Sequence, residues 1–263
     1  MIDIHHHLLW GLDDGSTSLE TSVEMAAMAA QDGITHIVCT PHANSEYSYD
    51  PAVVEAKIAT LQASLNQRQI PITLGRGCDF HLSYDNVQQA LHQPGRFSIN
   101  GLGYLLIELP DYGLSQALPE TLYQLRLAGM TPILTHPERN ATLQADPDRM
   151  IEWLRSGLLL QVTASSVTGQ MGRRAQKVAW QLLERRWVHF LATDAHNLGS
   201  RPPRMRQAHD LVAEKLGPEY AHALCLGNPL AAFKGKPLAL LPEPDGVFDD
   251  NNTKPWWKRV LGR

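Results

Sequence analysis

Short apolar runs alternate with longer amphipathic stretches along almost the whole chain. Residues 2–4, 35–40, 70–75, 104–109, 132–135, 158–163 and 188–193 have the length and composition of strands. Between them lie helix signals. Thr17-Ser18-Leu19-Glu20 reads as a capping box opening a helix that Gly33 ends. Asp50-Pro51 opens a second helix with proline in its first turn, and Val54, Ile58, Leu61 and Leu65 give it one apolar face. Further helices are predicted over 85–92, 119–128, 170–185 and 203–216, with another running from Asp146-Pro147 to just before Gly157. Strands alternating with helices imply parallel pairing and right-handed crossovers. Seven units rather than eight predict an α/β fold of the distorted, TIM-like (β/α)7 barrel type, with an open doubly wound sheet as the alternative.

A polar residue follows most of the strand-like runs. The first run ends in Asp3-Ile4-His5-His6-His7. His42 follows the second, and Asp79 follows the third through a glycine turn. Glu108, His136 and Asp194-Ala195-His196 follow later ones. In a parallel barrel these strand ends share one face, the face on which active sites are built.

Composition narrows the class. A chain of 263 residues with 43% hydrophobic content fits one barrel domain with a sizeable core. A net charge of -4 argues against a nucleic-acid binder driven by bulk electrostatics. The three cysteines, Cys39, Cys78 and Cys225, lack CxxC spacing and suggest no disulfide framework, so a reducing compartment is expected. Asp3 and three histidines interrupt any signal-peptide core, and no apolar run reaches spanning length. The expectation is a cytoplasmic protein without a transmembrane segment. Residues 1–237 are expected to form one domain and 238–263 a flexible tail rich in proline, aspartate and asparagine. The tail contains Trp256-Trp257-Lys258-Arg259, a mixture suited to peripheral contact with a membrane surface or partner, or to folding back on the barrel.

His5 and His7 are two apart on an extended segment and project to one side, which is chelating geometry. Alone, this pair is equally compatible with a surface histidine cluster. Asp194 and His196 repeat the spacing at the last strand end, and the remaining candidates come from the strands between. Imidazole and carboxylate without thiolate suit manganese, iron or zinc and disfavour a structural thiolate site. Eight or nine donors exceed the needs of one ion, so two or three ions bridged by carboxylates are implied. Paired ions typically drive hydrolysis by clamping attacking and leaving oxygens.

Asp3-Ile4-His5-His6-His7 with Asp13-Asp14-Gly15, then Thr40-Pro41-His42, Ile107-Glu108, His136-Pro137-Glu138-Arg139 and Thr193-Asp194-Ala195-His196-Asn197 with Arg201-Pro202-Pro203 resemble the PHP (polymerase and histidinol phosphatase) superfamily. The set more closely resembles its bacterial protein-tyrosine phosphatases of capsule and exopolysaccharide operons, the CpsB type, over roughly residues 1 to 230. The resemblance implies the PHP fold and a trinuclear, usually manganese-dependent, site. It implies that His5, His7 and Asp194 hold one ion and share Asp79. Glu108 and His136, again with Asp79, would hold a second, and Asp14, His42 and His196 a third. The family usually has glutamate where this chain has Asp79, so the shorter side chain raises the question of whether it can bridge.

The implied chemistry is hydrolysis of phosphotyrosine by a metal-bound hydroxide, with Arg139 and Arg201 contacting the phosphate through their planar forks; a structural ion pair is the alternative for either arginine. A phenolate leaves more readily than an alkoxide, since the reference pKa of tyrosine is about 10. The implied partner is a phosphotyrosine protein, an autophosphorylating bacterial tyrosine kinase of polysaccharide export. A small-molecule phosphatase of the histidinol phosphate type and a non-catalytic metal-binding regulator are the alternatives. Nuclease or amide-hydrolase chemistry is a weaker option, and no lysine stands at a strand end to bridge ions as a carbamate. Cysteine-based phosphatase chemistry is excluded, because no cysteine has an arginine six residues later. His6 reads as facing the core, with support of a neighbouring ligand as the alternative, and His36, His81, His92, His189, His209 and His222 read as surface or packing residues.

Overall fold

The computed structural model describes residues 1–110, 113–238 and 243–248. Nine strands occur among them: β1 (Ile2–His6), β2 (His36–Cys39), β3 (His42–Ala43), β4 (Thr73–Arg76), β5 (Asp79–His81), β6 (Tyr104–Glu108), β7 (Thr131–Thr135), β8 (Leu159–Thr163) and β9 (Phe190–Ala192). Every pairing is parallel, in the orders β1-β2-β4 and β3-β5-β6-β7-β8-β9. The two sheets are one wall. β2 is separated from β3 only by Thr40-Pro41, and β4 from β5 only by Gly77-Cys78. Pro41 has no N–H for a ladder. At Gly77 a Cβ would come within 2.6 Å of Val38, so glycine allows the close approach of the neighbouring strand. Nine strands thus form the seven staves of a distorted (β/α)7 barrel.

The seam between β9 and β1 lies beyond the end of β9. Asp194 N–H donates to His5 O and His7 N–H to Ala195 O, both at 2.9 Å, with a parallel bridge between His6 and Ala195. Buried Asp3 fastens this seam by accepting from Thr193 N–H at 3.0 Å and from the Thr193 hydroxyl at 2.5 Å. Burial raises the Asp3 carboxyl to about 6, against those hydrogen bonds.

Ile2, Ile4, Val38, Leu106, Ile133 and Phe190, from staves around the ring, pack together inside the barrel. Residues of the opposite parity, including Ile37, Leu105, Leu134, Leu160 and Leu191, pack in the layer beneath the helices. The helix Asn228–Phe233 contributes Leu230, Ala232 and Phe233 to the inner group. Asn228 donates to His189 O at 2.9 Å, and Asn100 donates to Phe233 O at 2.8 Å. This helix and Pro218–His222 lie in a stretch for which no element is predicted from the sequence.

Several helix boundaries move. The first helix, Leu19–Gln31, is capped by Ser18, whose hydroxyl accepts from Thr21 N–H at 3.1 Å. The expected capping box does not form: the cap is Ser18 and not Thr17, and Glu20 pairs with Arg68, the C-cap residue of the helix Pro51–Gln67, at 2.7 Å. Asp50 caps that second helix as expected. The helix expected after Asp146 is a 3-10 turn, Pro147–Met150, leading into Ile151–Arg155.

Residues 243–248, whose composition reads as flexible, are packed onto the barrel. Asp245 N–H donates to Arg185 O and Asp245 O accepts from the Trp187 indole, each at 2.9 Å. Val247 is fully buried, and the Arg155 guanidinium donates to its carbonyl. Local composition could not register partners in distant helices. The Trp256-Trp257-Lys258-Arg259 stretch lies outside the described residues. Among the described residues no helix is long and apolar enough to cross a membrane.

Candidate metal centre

A bulge in β1 decides which histidines reach the barrel mouth. Asp3 pairs with Ile37 and His6 with Cys39, so β1 advances three residues while β2 advances two. The extra residue reverses the alternation. Ile4 stays inside, His6 follows Cys39 into the layer beneath the helices, and His5 and His7 turn into the mouth, with ring centroids 5.4 Å apart. His6 is fully buried, and burial lowers its imidazole to about 3. It belongs to packing, as the sequence suggests.

The loop after β1 folds back over His7. Gly15 lies so close that a Cβ would meet His7 O at 2.3 Å, and Ser16 N–H donates to that oxygen. Asp13 accepts from Gly15 N–H at 2.9 Å through one oxygen and from His7 Nδ1 at 2.7 Å through the other. Asp14 beside it faces outward, 3.5 Å from His42 Nε2 and 3.4 Å from His196 Nε2.

The other staves deliver their donors to the same level. His42 and Asp79 are register partners at the starts of β3 and β5. The sequence places Asp79 after a turn; it resumes the β4 stave instead. Glu108 ends β6 and is 3.6 Å from His136. His136 and Asp194 both take left-handed backbone angles, with φ of 33° and 52°. Non-glycine residues adopt these rarely and at a cost, and such strain concentrates at functional sites. Here it turns each side chain off the strand line toward the centre.

Nine side chains converge in four overlapping groups: His5, His7 and Asp194; His5, Asp79 and His136; His42, Asp79 and Glu108; and His7, Asp14, His42 and His196. Within each group the donor atoms lie within 4.8 Å of one another. The sharing differs from the assignment carried over by resemblance: His7 joins the outer group, and Glu108 and His136 fall in separate groups that both contain Asp79. Despite its missing methylene, Asp79 sits 3.4 Å from His5 and 3.2 Å from His42.

The donors fit divalent cations on two counts. Both Asp79 oxygens, His42 Nδ1 and His196 Nε2 are buried without a hydrogen-bond partner, a costly state for polar atoms that a cation would relieve. Three imidazoles are also held by one nitrogen so that the other faces the centre. His5 Nδ1 donates to Gln161 Oε1 at 2.9 Å, His7 Nδ1 to Asp13, and His196 Nδ1 to the Asp194 carbonyl at 3.0 Å. This arrangement sets tautomer and ring orientation in metal sites.

Protonation follows the same layout. Although burial opposes it, His5 holds the Asp79 and Asp194 carboxyls well below their usual range, helped by His42 at Asp79 and by His7 and Arg201 at Asp194. Burial lowers His136 to about 3, reinforced by Arg139, and His196 to about 2, reinforced by His7. His7 moves up to about 10: burial opposes the shift, and Asp13 drives it. A cation binding there would displace that proton, so affinity is expected to fall with acidity.

Arg139 and Arg201 both donate to Asp194 Oδ2 across the mouth. Four roles were not assigned from the sequence. Asp13 and Gln161 hold imidazoles, Asp3 fastens the seam, and Glu138 accepts from Thr163 N–H at 3.0 Å. Gln161 and Asp3 each left a direct signal, as a polar residue inside a buried strand, and Asp13 and Glu138 stand inside the motifs Asp13-Asp14-Gly15 and His136-Pro137-Glu138-Arg139. His81, read from sequence as surface or packing, ends β5 opposite Glu108 and lines the mouth. Gln161→Leu is expected to weaken metal binding roughly 10- to 100-fold, the usual cost of losing such a support. A metal titration showing unchanged affinity would remove Gln161 from this role.

The model of the family described as capsular polysaccharide synthesis, CpsB/CapC, matches residues 1–234. The tyrosine-protein phosphatase YwqE of Bacillus subtilis is 32% identical over 225 residues, covering 85% of this chain and 88% of that protein. The tyrosine-protein phosphatase CpsB of Streptococcus pneumoniae is 31% identical over 238 residues, covering 87% and 96%. A crystal structure from work on YwqE and CpsB, described as unique metal-dependent tyrosine phosphatases, superposes with a TM-score of 0.86 at 31% identity, covering 93% of this chain and 99% of the other. A lactonase from Listeria monocytogenes, at 11% identity and a TM-score of 0.59 over 90% and 95% of the chains, shares the fold alone.

Proposed function

The chain belongs to the capsular polysaccharide synthesis family CpsB/CapC, and from that premise we infer that it is a metal-dependent protein-tyrosine phosphatase. The observation that carries this reading is the convergence of nine imidazole and carboxylate donors at the barrel mouth, three of the imidazoles locked with one nitrogen inward. Relatives named tyrosine-protein phosphatases align over most of both chains.

His5, His7, Asp14, His42, Asp79, Glu108, His136, Asp194 and His196 are the proposed ligands. Asp79 is the carboxylate common to two of the four groups, and His5, His7 and His42 are the imidazoles shared in the same way. Divalent ions held there would supply a water ionised near neutral pH and a clamp on attacking and leaving oxygens. The donor set, rich in carboxylate and imidazole without sulfur, suits manganese, and two or three ions would satisfy it. Arg139 and Arg201 would bind the non-bridging phosphate oxygens and neutralise charge that grows in the transition state. Their partner at present is Asp194, so both guanidiniums already stand at the edge of the ligand cluster. A tyrosine ester needs little proton donation to its leaving oxygen, which fits a mouth with no assigned general acid.

The substrate we propose is a phosphotyrosine protein, an autophosphorylating tyrosine kinase of polysaccharide export, met in the cytoplasm. The test is phosphate release from a phosphotyrosine peptide and from histidinol phosphate after chelator treatment and after reloading with manganese. Chelation is expected to remove at least ~99% of peptide turnover, reloading to restore it, and the peptide to be preferred; loss of a bound metal's nucleophile alone is worth several kcal/mol. Turnover indifferent to chelation, or a preference for histidinol phosphate, would overturn the reading.

A further inference from the structure

Beside the ligand cluster lies a pocket of about 320 Å³, at the small end of ligand-binding cavities. Three proposed ligands, Asp14, His42 and Glu108, line it, together with Tyr47 and Leu109. The half-buried Tyr47 ring stacks on His42, with planes 16° apart and centroids 5.9 Å apart. Its loop is pinned. Asn44 Oδ1 accepts from Glu46 N–H at 2.9 Å and from Tyr47 N–H at 2.8 Å, while Asn44 N–H donates to Tyr47 O at 3.0 Å. Two residues on, buried Tyr49 donates from its hydroxyl to Gly77 O at 3.0 Å, and Arg96 donates to Tyr49 O at 2.9 Å. Tyr47 is therefore presented in place, and a ligand meeting it has little loop to order.

We propose that this pocket seats the aromatic ring of the substrate, with Tyr47 as its stacking wall, and that Tyr47 sets the preference for aryl over alkyl phosphates. The proposal rests on the phosphotyrosine phosphatase reading. A phosphate drawn to the cluster leaves its ester substituent in the adjoining pocket. A phenyl ring there finds an aromatic partner on one side and the apolar Leu109 side chain in the same lining. Offset or edge-on ring pairs at centroid separations of about 4.5–7 Å are favourable beyond their buried area. A serine or small alkyl ester has no such face to offer. Tyr47 acts on specificity through its ring, and its hydroxyl has no part in the preference.

The manganese-loaded protein, Tyr47→Ala and Tyr47→Phe would be compared in two ways. One is kcat/KM on phosphotyrosine and phosphoserine peptides of the same sequence. The other is calorimetric binding of benzylphosphonate and propylphosphonate, which are not hydrolysed. Tyr47→Ala is expected to cut the aryl-over-alkyl ratio roughly 3- to 10-fold in both, the worth of one ring pair, and Tyr47→Phe to keep it. An unchanged ratio in Tyr47→Ala, or an equal loss in Tyr47→Phe, would overturn the proposal. Wild-type peptide turnover without dependence of the ratio on Tyr47 leaves the phosphatase standing and the pocket assignment wrong. A Tyr47-dependent binding preference in a protein that hydrolyses neither peptide does the reverse.

Discussion

Asp194→Ala is expected to lower kcat/KM for a phosphotyrosine peptide by more than the roughly 100-fold that loss of a supporting partner costs. Asp194 touches three proposed ligands and both arginines. Its Oδ1 lies 3.5 Å from both His5 and His7 and 3.6 Å from His196 Nδ1, and its Oδ2 receives Arg139 and Arg201. Removing it takes away a proposed ligand and leaves two guanidiniums facing the imidazoles. Breaking a buried ion pair from one side costs about 3–5 kcal/mol. Because Arg139 and Arg201 are 31% and 24% exposed and can turn to solvent, the lower end applies, about 3 kcal/mol. That amounts to roughly 6–12 °C in Tm for a domain of this size. The metal-free variant in a calorimeter, beside steady-state kinetics of the manganese-loaded one, measures both effects. Near-wild-type turnover would show that Asp194 serves the barrel seam and not the chemistry.

Replacing Arg139 and Arg201 together by alanine should have the next largest effect. Each planar fork can make two charge-assisted hydrogen bonds to a phosphate, and losing one preorganised donor typically costs 10²- to 10³-fold in kcat. The double variant is expected to lose at least ~10³-fold in kcat/KM while keeping its metal content, since neither arginine is among the ligands. Arg→Lys at either position should recover little, because an ammonium cannot reproduce the bidentate contact. Retained peptide turnover in the double variant would remove the phosphate-clamp assignment. Lost metal in the same variant would mean that the arginines hold Asp194 in place and act on the ligands.

Much of the site was legible in the sequence because it depends on local order. Strand-length apolar runs followed by His42, Glu108, His136 and Asp194 announce parallel strands with functional ends, and a barrel then brings those ends to one face whatever the detail of its packing. The His5-x-His7 spacing, the absence of thiolate pairs and the seven-unit alternation likewise needed no partner. What depended on partners was not legible. Whether His5 or His6 enters the mouth turns on one extra residue in β1 relative to β2, and simple alternation puts His6 on the same side as Ile4. Gln161 reaches His5 across 156 residues of chain, and Asp3 reaches Thr193 across 190. The docking of residues 243–248 and the inward helix Asn228–Phe233 rest on shorter but still non-local contacts, across 58 and 39 residues. Hydrophobic periodicity reports which face of an element is buried. The register between strands and the carboxylate or amide that orients each imidazole are properties of pairs, and only the folded chain brings those pairs together.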